Sequence, residues 1–321
     1  MNTSEIKNIA IIGLGTMGPG IAQAFAQAGY QVTGYDLNPA AAQTCQTIVA
    51  GIIENLKEFD LISAEEEKAS LGNIAYADSL AEAVREAHIV VEAVSENRDI
   101  KRAVYSQVDE CAPEDSYLWS NTSTLNIYEL APAKRLANTI IAHWFAPPHI
   151  VPLVEVVKDS RVAPSTVETA LDLLEKLNKI TIVLEKYVPG FVINRIQRNL
   201  GREVFFLLDQ GYISPEDLDM AIKASIAPRM MVLGLVQRYD FTGLDLSARN
   251  LADESFFDPP VDNNPAALAS KIERGDLGVK TGRGFFDYSD RDLTEVLKER
   301  DRYLLKVLES VRFCLEKKRL V

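Results

Sequence analysis

An α/β chain in two parts is what the sequence predicts: an N-terminal doubly wound sheet followed by a C-terminal all-helical domain. Three observations predict it. Short β-rich runs alternate with amphipathic helical stretches as far as Val188-Pro189-Gly190, and after that the strands stop. Alternation of this kind marks a largely parallel sheet covered on both faces. The charge changes at the same place: residues 1–185 carry 13 basic and 25 acidic side chains, whereas residues 186–321 carry 21 of each. A glycine triplet also stands between the first apolar run and the first helical stretch, where a doubly wound sheet holds a ligand. The expected domains are 1–187 and 188–321.

In order, Asn8–Gly13, Gln31–Asp36, His88–Glu92, Thr139–His143, Leu153–Val157 and Ile180–Leu184 read as strands from their Val/Ile content and length. Gly18–Ala28, Ile100–Cys111 and Ser165–Asn178 read as helices between them. In the second part, Phe191–Gln210, Pro215–Ala224 and Leu293–Leu320 read as helices. Ser214-Pro215-Glu216-Asp217 supplies an N-cap, a proline at the first helical position and acids that suit the helix dipole. The last helix has an apolar stripe from Leu293 to Leu315 at helical spacing, which packing on its own domain explains as simply as a subunit contact.

Composition excludes several classes. The 321 residues are 47% hydrophobic and 25% charged, enough for a full core, and the net charge of −12 with no basic run disfavours nucleic acid. No apolar run approaches ~18 residues, so no membrane span is expected. The stretch after Met1-Asn2-Thr3-Ser4-Glu5 lacks the basic start of a signal peptide. Cys45, Cys111 and Cys314 are too scattered for a disulfide framework or a cysteine zinc site. The expectation is a cytoplasmic globular enzyme with a small-molecule substrate and no metal.

Gly13-Leu14-Gly15-Thr16-Met17-Gly18 is a G-x-G-x-x-G between a strand and an Ala-rich helix. In that context Gly13 allows the tight turn, Gly15 lets backbone approach a pyrophosphate, and Gly18 lets the helix pack closely on the sheet. The helix start, with Thr16 and Met17, offers amides to phosphate. Asp36, ending the second strand, would accept from ribose hydroxyls and repel a 2′-phosphate, so NAD is expected over NADP. FAD uses a similar fingerprint, so the chemistry must be read elsewhere.

His88 opens an apolar strand and reads as structural. His143 and Glu155 are twelve residues apart, and a strand, a proline-rich turn and a returning strand would bring them level. A carboxylate in an apolar strand is costly unless paired, although one at a strand end facing water would serve as well for Glu155 alone. A His–carboxylate pair fixes the imidazole tautomer, and oxidising an alcohol by hydride transfer needs such a base.

These residues resemble the L-3-hydroxyacyl-CoA dehydrogenase family over nearly the whole chain. The family's motifs occur in order: Gly13–Gly18; Val91–Asn97 with Lys101; Ser120-Asn121-Thr122-Ser123; His143-Trp144-Phe145; Leu153-Val154-Glu155; Pro189–Arg195; and Gly278–Phe285. The resemblance implies a Rossmann-type N-terminal domain, fatty acid metabolism, a homodimer through the helical domain, and an L-3-hydroxyacyl-CoA substrate such as 3-hydroxybutyryl-CoA. It implies His143 as base or acid with Glu155 as partner. Ser123 and Asn194 would bind the substrate oxygen, and Glu96, Lys101 and Lys280 would contact NAD. Ser123 as a helix cap and Asn194 as a turn residue before the helix are the alternatives, and the intact surrounding motif weakens both.

The chain departs from the family in three places. Leu37–Ala77 holds Lys57 and Lys68 against six acids, where the acyl-CoA enzymes are rich in lysine. Ala146 replaces the usual Asn after His-aromatic-Phe, and its loop looks closer to gulonate, carnitine and pyridine-carboxylate dehydrogenases. Pro228-Arg229-Met230 replaces a Gly-Pro and acidic motif, and Arg229 could hold a free carboxylate or lie solvated at the surface. The same chemistry on a free hydroxy acid or alcohol is therefore an alternative. A non-catalytic NAD-binding protein is another, since a lens crystallin belongs to the wider group; the Ser123, His143, Glu155 and Asn194 set argues against it.

Overall fold

A computed structural model of the chain describes residues 3–255 and 257–316. It divides into two compact units, residues 1–195 and 196–321.

The first unit is built on one eight-stranded sheet: β1 Asn8–Ile12, β2 Gln31–Tyr35, β3 Ile74–Tyr76, β4 Ile89–Glu92, β5 Tyr117–Ser120, β6 Thr139–Trp144, β7 Leu153–Val157 and β8 Ile180–Leu184. Their order is β3-β2-β1-β4-β5-β6-β7-β8. All pairings are parallel except β6 with β7. The residues between β6 and β7 are too few for a crossover helix, so this pair can only turn back on itself. The helices are α1 Gly18–Gln27, α2 Ala40–Glu58, α3 Ala64–Gly72, α4 Leu80–Val84, α5 Arg98–Cys111 and α6 Pro164–Lys176.

Neighbouring residues of the central strands serve opposite cores. On β5, Trp119 packs with Phe25 and Trp144 on one face, while Leu118 packs with Tyr105 and Tyr128 on the other. Both faces are dry, which explains why the strands read as continuous apolar runs rather than alternating ones. β3 (Ile74-Ala75-Tyr76) and β5 (Tyr117-Leu118-Trp119-Ser120) escape the sequence pattern because neither has the Val/Ile run that marks most of the other strands.

The chain crosses the sheet between β1 and β4, the switch point of this Rossmann-type topology, and ligands bind there outside the carboxyl ends of the strands. The glycine loop, Glu92–Glu96, Ser120–Thr124 and His143 all follow or end parallel strands on that rim.

The second unit is helical. α7 Ile193–Asp209 leads into it, followed by α8 Pro215–Ala221, a π-helical stretch Ile222–Ile226, α9 Ala227–Leu233, α10 Val236–Thr242, α11 Leu244–Ala252, α12 Ala266–Glu273, α13 Leu293–Ser310 and α14 Arg312–Leu315. The long final helix expected to run to Leu320 is broken at Val311, and its last residues lie outside the described ones. Among the described residues of this unit, Leu305 and Pro265 are the only buried apolar side chains, while Tyr212, Phe241, Leu244, Leu251 and Phe257 are each at least 60% exposed. No helix among the described residues is long and apolar enough to cross a membrane.

Candidate active site

The antiparallel ladder of β6 and β7 pairs His143 directly with Glu155. Opposed residues share a face of the sheet, so the side chains meet: His143 Nδ1 lies 2.8 Å from Glu155 Oε2. Glu155 is fully buried and His143 is 5% exposed. The other carboxylate oxygen, Oε1, accepts from the amides of Val192 and Ile193, both at 3.0 Å. Glu155 therefore occupies the start of α7, where unpaired amides favour an anion. The bend that presents those amides has Gly190 at φ 76° and Phe191 at φ 51°. A phenylalanine in the left-handed region is strained, and it is held there by burial against the His143 ring, 5.3 Å between centroids. Neutral His143 must carry its proton on Nδ1 to donate to this carboxylate, which leaves Nε2 free to take a proton.

Ser123 lies in the turn after β5. Asn194 sits inside the first turn of α7 rather than before the helix, and its Nδ2 donates to the Ser123 carbonyl at 3.3 Å. The structure thus brings these two together. Asn121 secures the neighbouring strand by accepting from the Trp144 amide at 2.8 Å.

Glu96 meets the same turn. Its Oε1 receives Thr122 Oγ1 at 2.8 Å, the Ser123 amide at 3.0 Å and hydroxyl at 3.2 Å, and the Thr124 amide at 2.8 Å and hydroxyl at 2.9 Å. Burial alone would raise this carboxyl, but the Thr122 hydrogen bond, the Lys101 charge and the Thr124 bonds outweigh it and hold it down at about 2. Lys101, expected to touch NAD, is 1% exposed, and its ammonium is taken up by Glu92 at 2.7 Å, Glu96 at 3.4 Å and the Val94 carbonyl. Its place is beneath the rim, not on it.

At the glycine loop, a Cβ on Gly18 would lie 2.1 Å from the Gly13 carbonyl oxygen, so the helix packs this close only without a side chain. Gly15 faces open space, with nothing within 4 Å of a Cβ there. Thr16 is exposed, and Met17 at the head of α1 offers no side-chain cap, so the first amides of the helix remain available to a pyrophosphate. Asp36 follows β2; its Oδ2 accepts from the Leu14 amide at 2.8 Å and its Oδ1 from the Asn38 amide at 2.9 Å. These bonds aim the carboxylate at the loop and leave lone pairs for ribose hydroxyls. The residues present fit a dinucleotide.

Arg229 and Lys280 belong to the second unit. Arg229 is exposed and bonded to the Ser225 carbonyl at 3.0 Å and hydroxyl at 2.8 Å, one turn earlier on its own segment. Lys280 is exposed in the 3-10 turn Val279–Thr281.

Sequence reasoning missed Lys179. Its Nζ donates to the carbonyls of Pro148 at 2.6 Å and Val151 at 3.1 Å and lies 5.0 Å over the Trp144 ring, tying down the loop from Ala146 to Pro152. Burial lowers this ammonium to about 8. A lone lysine before a strand carries no signal of its own; only the folded loop reveals its acceptors.

Residues 8–187 match the NAD-binding domain of 3-hydroxyacyl-CoA dehydrogenase, and residues 190–288 match the C-terminal domain of the same family. The chain is 35% identical to 5-formyl-3-hydroxy-2-methylpyridine 4-carboxylate 5-dehydrogenase of Mesorhizobium japonicum, covering 94% of this chain and 97% of that one. It is 33% identical to a probable 3-hydroxybutyryl-CoA dehydrogenase of Bacillus subtilis, over 89% of this chain and 99% of that one. A solved 5-formyl-3-hydroxy-2-methylpyridine 4-carboxylic acid 5-dehydrogenase, described as an NAD+-dependent dismutase, superposes with a TM-score of 0.85 at 33% identity, covering 96% and 99% of the two chains.

Proposed function

Because the chain belongs to the 3-hydroxyacyl-CoA dehydrogenase family, and is an NAD-dependent dehydrogenase acting on CH–OH, we propose that its substrate is a small free hydroxy acid rather than a CoA thioester. The observation that carries this reading is the acidic α2–α3 segment. Its two lysines stand against six acids, and Lys57 is paired with Glu67 at 2.8 Å, so the segment as a whole is negative. A CoA molecule brings several phosphate charges and would meet repulsion there.

NAD, when bound, supplies the acceptor for the hydride. The chain's own residues manage the proton. In oxidation His143 Nε2 takes the hydroxyl proton, and Glu155 stabilises the resulting imidazolium; in reduction the proton returns to the new alkoxide oxygen. The Ser123 hydroxyl and the Asn194 amide serve the substrate oxygen without competing as bases. Asp36 and the loop Gly13–Gly18 hold the dinucleotide. Lys280 contacting NAD and Arg229 gripping a substrate carboxylate remain parts of this proposal, the latter at the cost of its bonds to Ser225.

A panel comparing acetoacetyl-CoA with free acetoacetate and other keto acids, followed by NADH absorbance, tests the substrate reading. Efficient turnover of acetoacetyl-CoA that weakens steeply with salt would overturn it, since phosphate–lysine attraction is screened over ~10 Å at 0.1 M. That outcome favours the second reading, a 3-hydroxyacyl-CoA substrate such as 3-hydroxybutyryl-CoA, which the Bacillus subtilis relative supports.

The protein works as a homodimer in this reading. The helical unit exposes large apolar side chains while burying few, as an element does whose covering surface lies on a second copy. Its setting is the cytoplasm, in keeping with three free cysteines.

A further inference from the structure

We propose that Glu96 is a positioning residue for Ser123, footed on the buried Lys101–Glu92 pair, and that it governs turnover through the Thr122–Thr124 turn rather than by holding the cofactor. The proposal rests on the reading that Ser123 serves the substrate oxygen.

The geometry is a clamp. Glu96 Oε1 gathers five donors from three consecutive residues, and Oε2 faces Lys101. Lys101 in turn is fixed from below. Glu92 is fully buried and accepts from Lys101 and the Val94 amide on Oε1, and from Tyr105 and Ser120, each at 2.7 Å, on Oε2. Ser120 is three residues before Ser123 and receives the Thr122 amide at 3.3 Å. Both ends of the turn are therefore anchored to one buried cluster, and neither carboxylate is left without a charge partner.

The arrangement has a consequence for the hydroxyl. Ser123 has one hydroxyl proton, and here it is directed at Glu96, so its lone pairs are open to an alcohol. A ketone instead needs that proton donated to its carbonyl oxygen. Ser123 can turn to do so because four other donors keep Glu96 in place. The turn stays fixed while a single hydroxyl changes partner, which is the preorganisation that a site for both directions requires.

The test uses the full chain. Glu96→Gln, Ser123→Ala and the double variant are compared for NADH dissociation constant by fluorescence, for kcat on the best substrate of the panel above, and for thermal melting. A displacement of about 1 Å can cost 10²-fold, so Glu96→Gln is expected to lower kcat at least ~10-fold. NADH affinity should move less than ~3-fold, and the loss should largely vanish in the Ser123→Ala background, as coupled residues do. The proposal is overturned if Glu96→Gln weakens NADH binding with kcat intact, or if the two losses multiply. A slow Ser123→Ala beside a Glu96→Gln of wild-type rate removes only the positioning role. A Ser123→Ala of wild-type rate removes the reading of Ser123 and this proposal with it. Should Glu96→Gln fail to fold, Thr124→Val deletes one hydroxyl donor and keeps the backbone, and it is judged by the same split between kcat and NADH affinity.

Discussion

Replacing Glu155 by glutamine keeps shape and volume but cannot satisfy the site. Oε1 faces two amide donors at 3.0 Å, and Oε2 faces His143 Nδ1 at 2.8 Å. If the glutamine oxygen takes the Val192 and Ile193 amides, its NH2 points at Nδ1. The neutral imidazole must then accept there and carry its proton on Nε2, the tautomer that cannot receive a proton from an alcohol. If the amide flips, the NH2 meets two N–H groups in a fully buried place, and leaving such donors unpaired costs about 1–3 kcal/mol each. The first orientation is the cheaper one, so the enzyme should fold and be slow. A base in the wrong tautomer costs roughly 10⁴ in comparable His–carboxylate systems, and general base catalysis as a whole contributes about 10²–10⁴. Glu155→Gln should therefore lower kcat by ~10³-fold, about 4 kcal/mol of transition-state stabilisation, with NADH affinity unchanged. Steady-state NADH absorbance measures the first and fluorescence titration the second. A variant within tenfold of wild type would refute the role of the pair.

Asp36→Ala should narrow the preference for NAD over NADP, chiefly by raising the Michaelis constant for NADH; a wild type that already prefers NADPH contradicts the reading of Asp36. Gly15→Ala meets no protein atom within 4 Å, so its melting temperature should match wild type. NADH affinity should nevertheless fall at least ~10-fold as the methyl enters the pyrophosphate's space, and an unchanged titration counts against that location. Lys179 falls from its ordinary 10.5 to about 8 on folding, so between those values the unfolded chain binds more protons and this group's contribution to stability rises with pH. Chemical unfolding of wild type and Lys179→Met at pH 7.5 and 10.5 should show wild type gaining on the variant, and equal slopes would remove the lysine from the account.

Much of this was legible before folding. Six of the eight strands of the first unit announce themselves by their Val/Ile content, and His143 and Glu155 can be matched because a hairpin imposes simple register. The second oxygen of Glu155 could not be read, because its partners are main-chain amides 37 and 38 residues on, and amides have no sequence signature. Lys101 could not be placed from sequence for a related reason: the family resemblance set it beside NAD, and only Glu92, nine residues earlier on β4, shows its ammonium turned inward. The short helices from Ala227 to Ala252 were missed because a π-helical stretch and glycine stops at Gly234 and Gly243 break their period, and their apolar residues largely face outward.

The reversal of β7 divides labour along the rim. Because β7 runs against β6, the link from Phe145 to Pro152 emerges at the same edge as the glycine loop, while four ladder pairs below it hold the register of acid and base. A slip of one residue would turn Glu155 to the opposite face, so the ladder tolerates little change. The link is held by packing rather than pairing: Pro147, Pro148 and Ile150 are buried, and a Cβ on Gly20 of α1 would lie 2.6 Å from Pro148. Two kinds of restraint therefore stand side by side on one rim, hydrogen-bond register for His143 with Glu155 and side-chain contact for the link above them.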